Sequence, residues 1–258
     1  MTPVNWQVVA ASVIGKSHEK HNLPCQDAHS YQVFTHPCHG QCLVVAVADG
    51  AGSARLSDLG AQLAVKVAVE TMVQSWPEIS LAASDEIWQT GLIEAIKAAQ
   101  QAIATAAAAQ QVEPRALATT LILAVATSMG IRAAQVGDGA VIIANQQGEI
   151  TALTTPDWGE HLNETTFLTC PDALETLQIR SWLQPPANLA IFSDGLQLLA
   201  LKLPESIPHP PFFAPLFEFV RQVQVEEATE QLVSFLKSPR VTERTDDDLT
   251  LILATLKL

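Results

Sequence analysis

Apolar residues follow two different periods along this chain. The runs WQVVAASVIG (6–15), HSYQVF (29–34) and CLVVAVAD (42–49) are short, β-branched or aromatic, and bounded by turn residues. That is strand patterning. The last two are joined by the HPCHGQ turn, and a loop is expected from Lys16 to Asp27. After Gly52 the spacing becomes helical. A helix is predicted over 57–76 with Ser57 as N-cap, and a second from Ser84 to about Gln111, with Pro114 beyond it. Strands return at 118–127, 131–137 and 140–146, and a turn at Gly148 leads into EITALTT. The segment 156–188, with Trp158 and Trp182, reads as loops and short strands. NLAIFSD is a strand, followed by a short helix from about Leu196. A proline-dense stretch (204–215) leads to helices over Leu216–Gln224 and Glu226–Lys237, and DLTLILATL closes the chain as a strand. Strands and helices come in groups, without strict βαβ alternation, which predicts an α+β architecture.

Composition narrows the function classes. Of 258 residues, 48 % are hydrophobic, enough for a large core. Acidic residues outnumber basic ones 27 to 14, for a net charge of −13, which argues against nucleic acid or an anionic membrane as partner. The start of the chain does not resemble a signal peptide, and no apolar run reaches the ~18 residues of a membrane helix. A cytoplasmic location is therefore expected. Cys25, Cys38, Cys42 and Cys170 then read as thiols. The cluster His36, Cys38, His39 and Cys42 packs four possible zinc ligands together, but it lacks paired CxxC spacing. A hairpin turn carrying small apolar thiols is the plainer reading.

The candidate chemistry lies in three aspartates at the ends of apolar runs: Asp49 after CLVVAVA, Asp194 after LAIFS, and Asp247 just before LTLILATL. Asp is a poor strand residue, and an unpaired buried charge costs several kcal/mol (order of magnitude). A lone Asp after a strand is usually a turn residue or cap. Three in this context predict an oxygen-rich site for a hard divalent cation.

The segments CQDAH, VVAVADGAGSARLSDLGA, ATTLILAV, AAQVGDGAVII, IFSDGL and TDDDLTLILA occur in that order over residues 15–255. Together they resemble the metal-dependent serine/threonine protein phosphatases of the PP2C family, most closely its compact bacterial branch. The resemblance implies one domain over 1–258. Its fold would be a four-layer α-β-β-α sandwich, with two central, mainly antiparallel sheets flanked by helices. It implies Mg²⁺ or Mn²⁺ at two positions and a third in question, with a bridging hydroxide attacking phosphoserine or phosphothreonine of a protein substrate. Asp49 matches the bridging ligand, Gly50 the carbonyl ligand, and Asp194 and Asp247 the carboxylates of the first metal. Asp27 matches the carboxylate that orients metal-bound water, and Asp138 with Asp194 the third site. Thr119 and Thr120 read as structural.

Some positions depart from the family pattern. The region GKSHEKHNLPCQDA has no phosphate-gripping arginine. Lys16, His18, Lys20 and His21 are the substitutes at hand. His18 is preferred, also as general acid to the leaving group; solvated loop residues are the alternative. Gln26 replaces a frequent Glu, Leu198 stands where some relatives carry a further Asp, and Asp248 stands where Asn is common. Arg55 either reaches substrate phosphate or pairs with Asp58. The expected function is a metal-dependent protein phosphatase. The rivals are a pseudophosphatase that binds phosphoproteins and a phosphatase of small molecules. A monomer is expected.

Overall fold

The computed structural model describes residues 5–36, 40–76, 84–156 and 165–257. The strands are β1 (Asn5–Val13), β2 (Ala28–His36), β3 (Gly40–Ala48), β4 (Leu121–Thr127), β5 (Gly130–Val136), β6 (Ala140–Asn145), β7 (Ile150–Thr154), β8 (Gln178–Trp182), β9 (Pro186–Phe192), β10 (Leu201–Lys202), β11 (Ile207–Pro208) and β12 (Leu249–Lys257). The helices are α1 (Lys16–His21), α2 (Ser57–Ser75), α3 (Asp85–Ala109), α4 (Gln197–Ala200), α5 (Pro210–Gln222), α6 (Val225–Leu236) and α7 (Pro239–Thr242).

Two five-stranded sheets form the centre, in the orders β1-β12-β9-β6-β7 and β2-β3-β4-β5-β8. Every neighbouring pair is antiparallel. The period-2 geometry of β3 explains the layering. Val44, Ala46 and Ala48 face α2 and α3, while Leu43, Val45 and Val47 face the other sheet. Both faces are covered, so the strand reads as an unbroken apolar run. A third core packs the outer face of the β12 sheet, through Phe192 and Leu251, against Phe213 and Phe217 of α5 and Leu232 of α6. Three cores between four layers give the expected α-β-β-α sandwich. Each fully buried Val, Leu or Phe contributes roughly 1.5–3 kcal/mol.

The long-range pairing of β1 with β12 joins the two ends of the chain, with Val13 opposite Leu249. It places the residues after β1 beside those before β12. The acidic residues gather at this end of the sandwich.

Several local expectations are corrected. Ser57 is the first residue of α2, not its N-cap. Leu56 holds that place, and the Ser57 hydroxyl donates to the Ala54 carbonyl at 3.0 Å. Part of the Lys16–Asp27 loop is α1, closed by Asn22 in the left-handed region at φ 53°. Helix α5 starts at Pro210, six residues before the expected Leu216, and contains Pro215. Pro210 and Pro211 sit in the first turn, where a missing N–H goes unused. The buried Phe213, Phe217 and Val220 then hold the helix against the sheet despite Pro215. Cys38, His39 and Trp158 lie outside the described residues. Cys42 is fully buried in β3, where desolvation first of all pushes its thiol pKa up to about 12. Among the described residues, no helix is long and apolar enough to cross a membrane.

Candidate metal centre

Asp49 leaves the end of β3 with its main chain clamped. The Thr120 hydroxyl accepts the Asp49 N–H at 2.9 Å. The Asp49 carbonyl accepts the Thr120 N–H at 2.8 Å and the Thr119 hydroxyl at 2.9 Å. The structural reading of these threonines is thereby given a geometry. The next residue must be glycine: a Cβ at Gly50 would stand 2.7 Å from the Gln26 carbonyl oxygen and 2.8 Å from Ser57. This close approach draws the Gln26–Asp27 segment against the Asp49 loop.

Asp194 follows β9 and opens a short 3-10 turn over Asp194–Leu196. Asp138 sits in the turn between β5 and β6. Its Oδ2 accepts the Thr165 hydroxyl at 2.6 Å, and its carbonyl accepts the Gln197 side-chain amide. One carboxylate oxygen from each of Asp49, Asp138 and Asp194 lies within 4.8 Å of the others. Thus Asp138, assigned by resemblance to a third site, belongs to the tightest cluster.

Asp27 lies behind this cluster and is 7 % exposed. Its Oδ2 accepts the Ser193 hydroxyl at 2.6 Å. Asp247 stands apart on the exposed rim; it acts on Asp194 through its charge, and its Oδ1 accepts the Asp248 N–H at 2.8 Å. Asp248 is 2 % exposed and ties three segments together. Its Oδ1 accepts the Gly15 N–H at 2.7 Å, its Oδ2 accepts the Gln26 N–H at 2.5 Å, and Nδ1 of His18 lies 2.9 Å from Oδ2.

The electrostatics call for a cation. Desolvation, then the charges of Asp27 and Asp194, push the Asp49 pKa well above the carboxylate range. Desolvation raises Asp27 to about 8, with the Asp248 and Asp194 charges adding to it. Desolvation and the charges of Asp138 and Asp247 raise Asp194 to about 6, even though Asp49 and the Gly195 N–H hydrogen-bond to it. Oδ1 of Asp27, Oδ1 of Asp194 and Oε1 of Gln26 are buried without a hydrogen-bond partner. Such groups are costly unless something absent from the protein chain satisfies them. An oxygen-only donor set with excess negative charge fits a hard divalent cation.

The predicted phosphate-binding residues scatter. His18 is on α1 and lines an open cleft of about 510 Å³ with Ser17, His21, Gly52, Thr245 and Asp247. Lys16 donates its ammonium to the Thr242 carbonyl. Arg55 is exposed and makes no ion pair with Asp58 among the described residues. A cavity of about 570 Å³ lies at the far end of β12, lined by Arg221, Thr255 and Lys257. Among the described residues its wall holds no acidic side chain, so the smaller cleft is the one beside the chemistry. Ser193, Thr250 and Thr165 went unnoticed in the sequence. The signal for Ser193 and Thr250 was a small hydroxyl residue interrupting an apolar strand or its end.

The chain as a whole has known relatives. Residues 14–237 match the protein phosphatase 2C family. The chain belongs to that family. It is 37 % identical over 254 residues to serine/threonine-protein phosphatase 3 of Escherichia coli (strain K12), covering 97 % of this chain and 98 % of that protein. The fold of this phosphatase 2C chain is shared by a serine/threonine phosphatase from S. agalactiae, at a TM-score of 0.64 and 17 % identity, covering 98 % of this chain and 100 % of that one. It is also shared by RsbX in complex with magnesium, at a TM-score of 0.56 and 16 % identity over 100 % of both chains.

Proposed function

We propose that this chain hydrolyses phosphoserine and phosphothreonine in proteins at a divalent-cation site built on Asp49, Asp138 and Asp194. The observation that carries this reading is the convergence of three carboxylates within 4.8 Å in a chain of the phosphatase 2C family. In this reading Asp27, Asp247 and the Gly50 carbonyl complete the ligand set, with Mg²⁺ or Mn²⁺ at two positions and Asp138 with Asp194 serving a third. A cation held there neutralises phosphoryl charge and lowers the pKa of water.

The chain's own residues do the rest. Asp27 orients the attacking water through its unpartnered Oδ1. His18, braced by Asp248, grips the substrate phosphate and protonates the leaving oxygen. Lys16 and Arg55 add positive charge at the rim. No covalent nucleophile is required. Burial, then the charges of Asp248 and Asp27, push the Cys25 thiol pKa up and keep it a poor nucleophile. The substrate is a phosphoprotein, and the setting is the cytoplasm.

The test is initial-rate hydrolysis of phosphothreonine and phosphoserine peptides beside a panel of phosphorylated metabolites, all with Mn²⁺. Peptide turnover well above metabolite turnover is expected. Turnover of metabolites alone replaces the substrate class. No turnover by folded, metal-loaded protein makes it a binding protein.

A further inference from the structure

A string of hydroxyl groups runs beneath Asp27. Ser193, just after β9, donates its hydroxyl to Asp27 Oδ2 at 2.6 Å and accepts the Thr250 N–H at 3.0 Å. The Thr250 hydroxyl faces the same carboxylate closely enough to help hold the Asp27 pKa down. Thr250 Oγ1 lies 2.6 Å from Ser12 Oγ, which lies 2.8 Å from Nδ1 of His29. Thr250 and Ser12 belong to β12 and β1 of one sheet, and His29 to β2 of the other. The string therefore crosses the gap between the sheets.

Its direction follows from hydrogen-bond chemistry. An ionised carboxylate only accepts. Thr250 thus gives its proton to Asp27, Ser12 gives its own to Thr250, and Nδ1 of His29 must donate to Ser12. Two hydroxyls then hold the carboxylate of Asp27 from beneath, and Oδ1 is left buried without a partner. A mere link between sheets would not need both hydroxyls on one carboxylate.

We infer that Ser193, Thr250, Ser12 and His29 are positioning residues that fix the carboxylate of Asp27 and present its free oxygen for the reaction. This inference rests on the phosphatase reading. Outer-shell partners of this kind are worth roughly 10–100-fold in activity or metal affinity when removed.

The experiment compares wild type, Ser193→Ala, Ser193→Thr and Thr250→Val on a phosphothreonine peptide with Mn²⁺. Melting curves are recorded beside the kinetics. In parallel, ¹⁵N-histidine NMR of the metal-free protein at about pH 9.5, above the raised pKa of Asp27, reads the His29 tautomer in wild type and in Ser12→Ala. Ser193→Ala and Thr250→Val are expected to lower kcat about 10- to 100-fold. KM for the peptide is expected to stay within about twofold, because the ground state is bound elsewhere. Ser193→Thr restores most of kcat, and Nδ1 of His29 carries the proton in wild type but not uniformly in Ser12→Ala. An unchanged kcat per folded molecule, a loss carried by KM, or an Nε2–H tautomer in wild type overturns the inference. An inactive wild type would overturn the phosphatase reading instead, and the tautomer result would still judge the string.

Discussion

Nδ1 of His18 lies 2.9 Å from Oδ2 of Asp248, a carboxylate only 2 % exposed. The same carboxylate accepts the backbone N–H groups of Gly15 and Gln26. One buried side chain thus links the end of β1, the histidine of α1, and the segment that delivers Asp27. The pairing of the chain's two ends makes this possible, since Asp248 directly precedes β12.

Asp248→Asn is expected to reduce stability and activity together. An amide offers one oxygen and one NH₂ group to the two backbone donors Gly15 and Gln26, which now bond one carboxylate oxygen each, so one donor loses its partner. A buried unpaired donor costs about 1–3 kcal/mol. For a chain of this size that lowers Tm by roughly 2–10 °C. His18→Gln keeps the fold but lowers turnover, because the imidazole is lost while Asp248 retains both backbone donors. Thermal melts and steady-state kinetics on both variants check this.

The metal-free protein is expected to lose stability as pH rises. Asp194 is raised to about 6 and Asp27 to about 8, both chiefly by desolvation. Each then holds its proton in the folded state at pH values where the unfolded chain has released it. These two groups therefore make stability fall between about pH 4 and pH 8, and the raised Asp49 acts in the same direction. Saturating Mn²⁺ should flatten or reverse the slope, because the cation binds the ionised carboxylates. Melting temperatures over this range, in EDTA and in Mn²⁺, measure it.

Gly195→Ala is expected to damage the site without touching a ligand. A Cβ at that position would stand 2.2 Å from the Asp248 carbonyl oxygen. The turn that carries Asp194 must then move away from β12. Overpacking of this kind costs about 1–3 kcal/mol. Weaker Mn²⁺ binding by calorimetry, beyond the drop in Tm, is the expected signature.

Much of the site was legible because its aspartates break strong local patterns. Asp49 ends a run of buried Val and Ala, and Asp194 ends LAIFS, so each stood out before any partner was known. The α+β class followed from the grouping of strands and helices, and the sandwich from the family resemblance. The supporting groups were not legible. Ser193 and Thr250 are ordinary hydroxyl residues whose meaning comes from contacts 166 and 238 positions away along the chain. Asp247 was singled out by the resemblance as a metal carboxylate, yet it is exposed while Asp248 beside it is buried. Periodicity does not separate them; the start of β12 does. Helix α5 hid behind its prolines, since a first-turn proline resembles a connector until the following Phe residues are seen to pack.

The most direct test of the central claim is hydrolysis of a phosphothreonine peptide by wild type and Asp49→Asn, each with Mn²⁺ or with EDTA. The metal-centre account predicts turnover by the wild type in Mn²⁺ alone, and none by a folded Asp49→Asn protein under either condition. Turnover in EDTA, or activity that survives the Asp49 substitution, would contradict it.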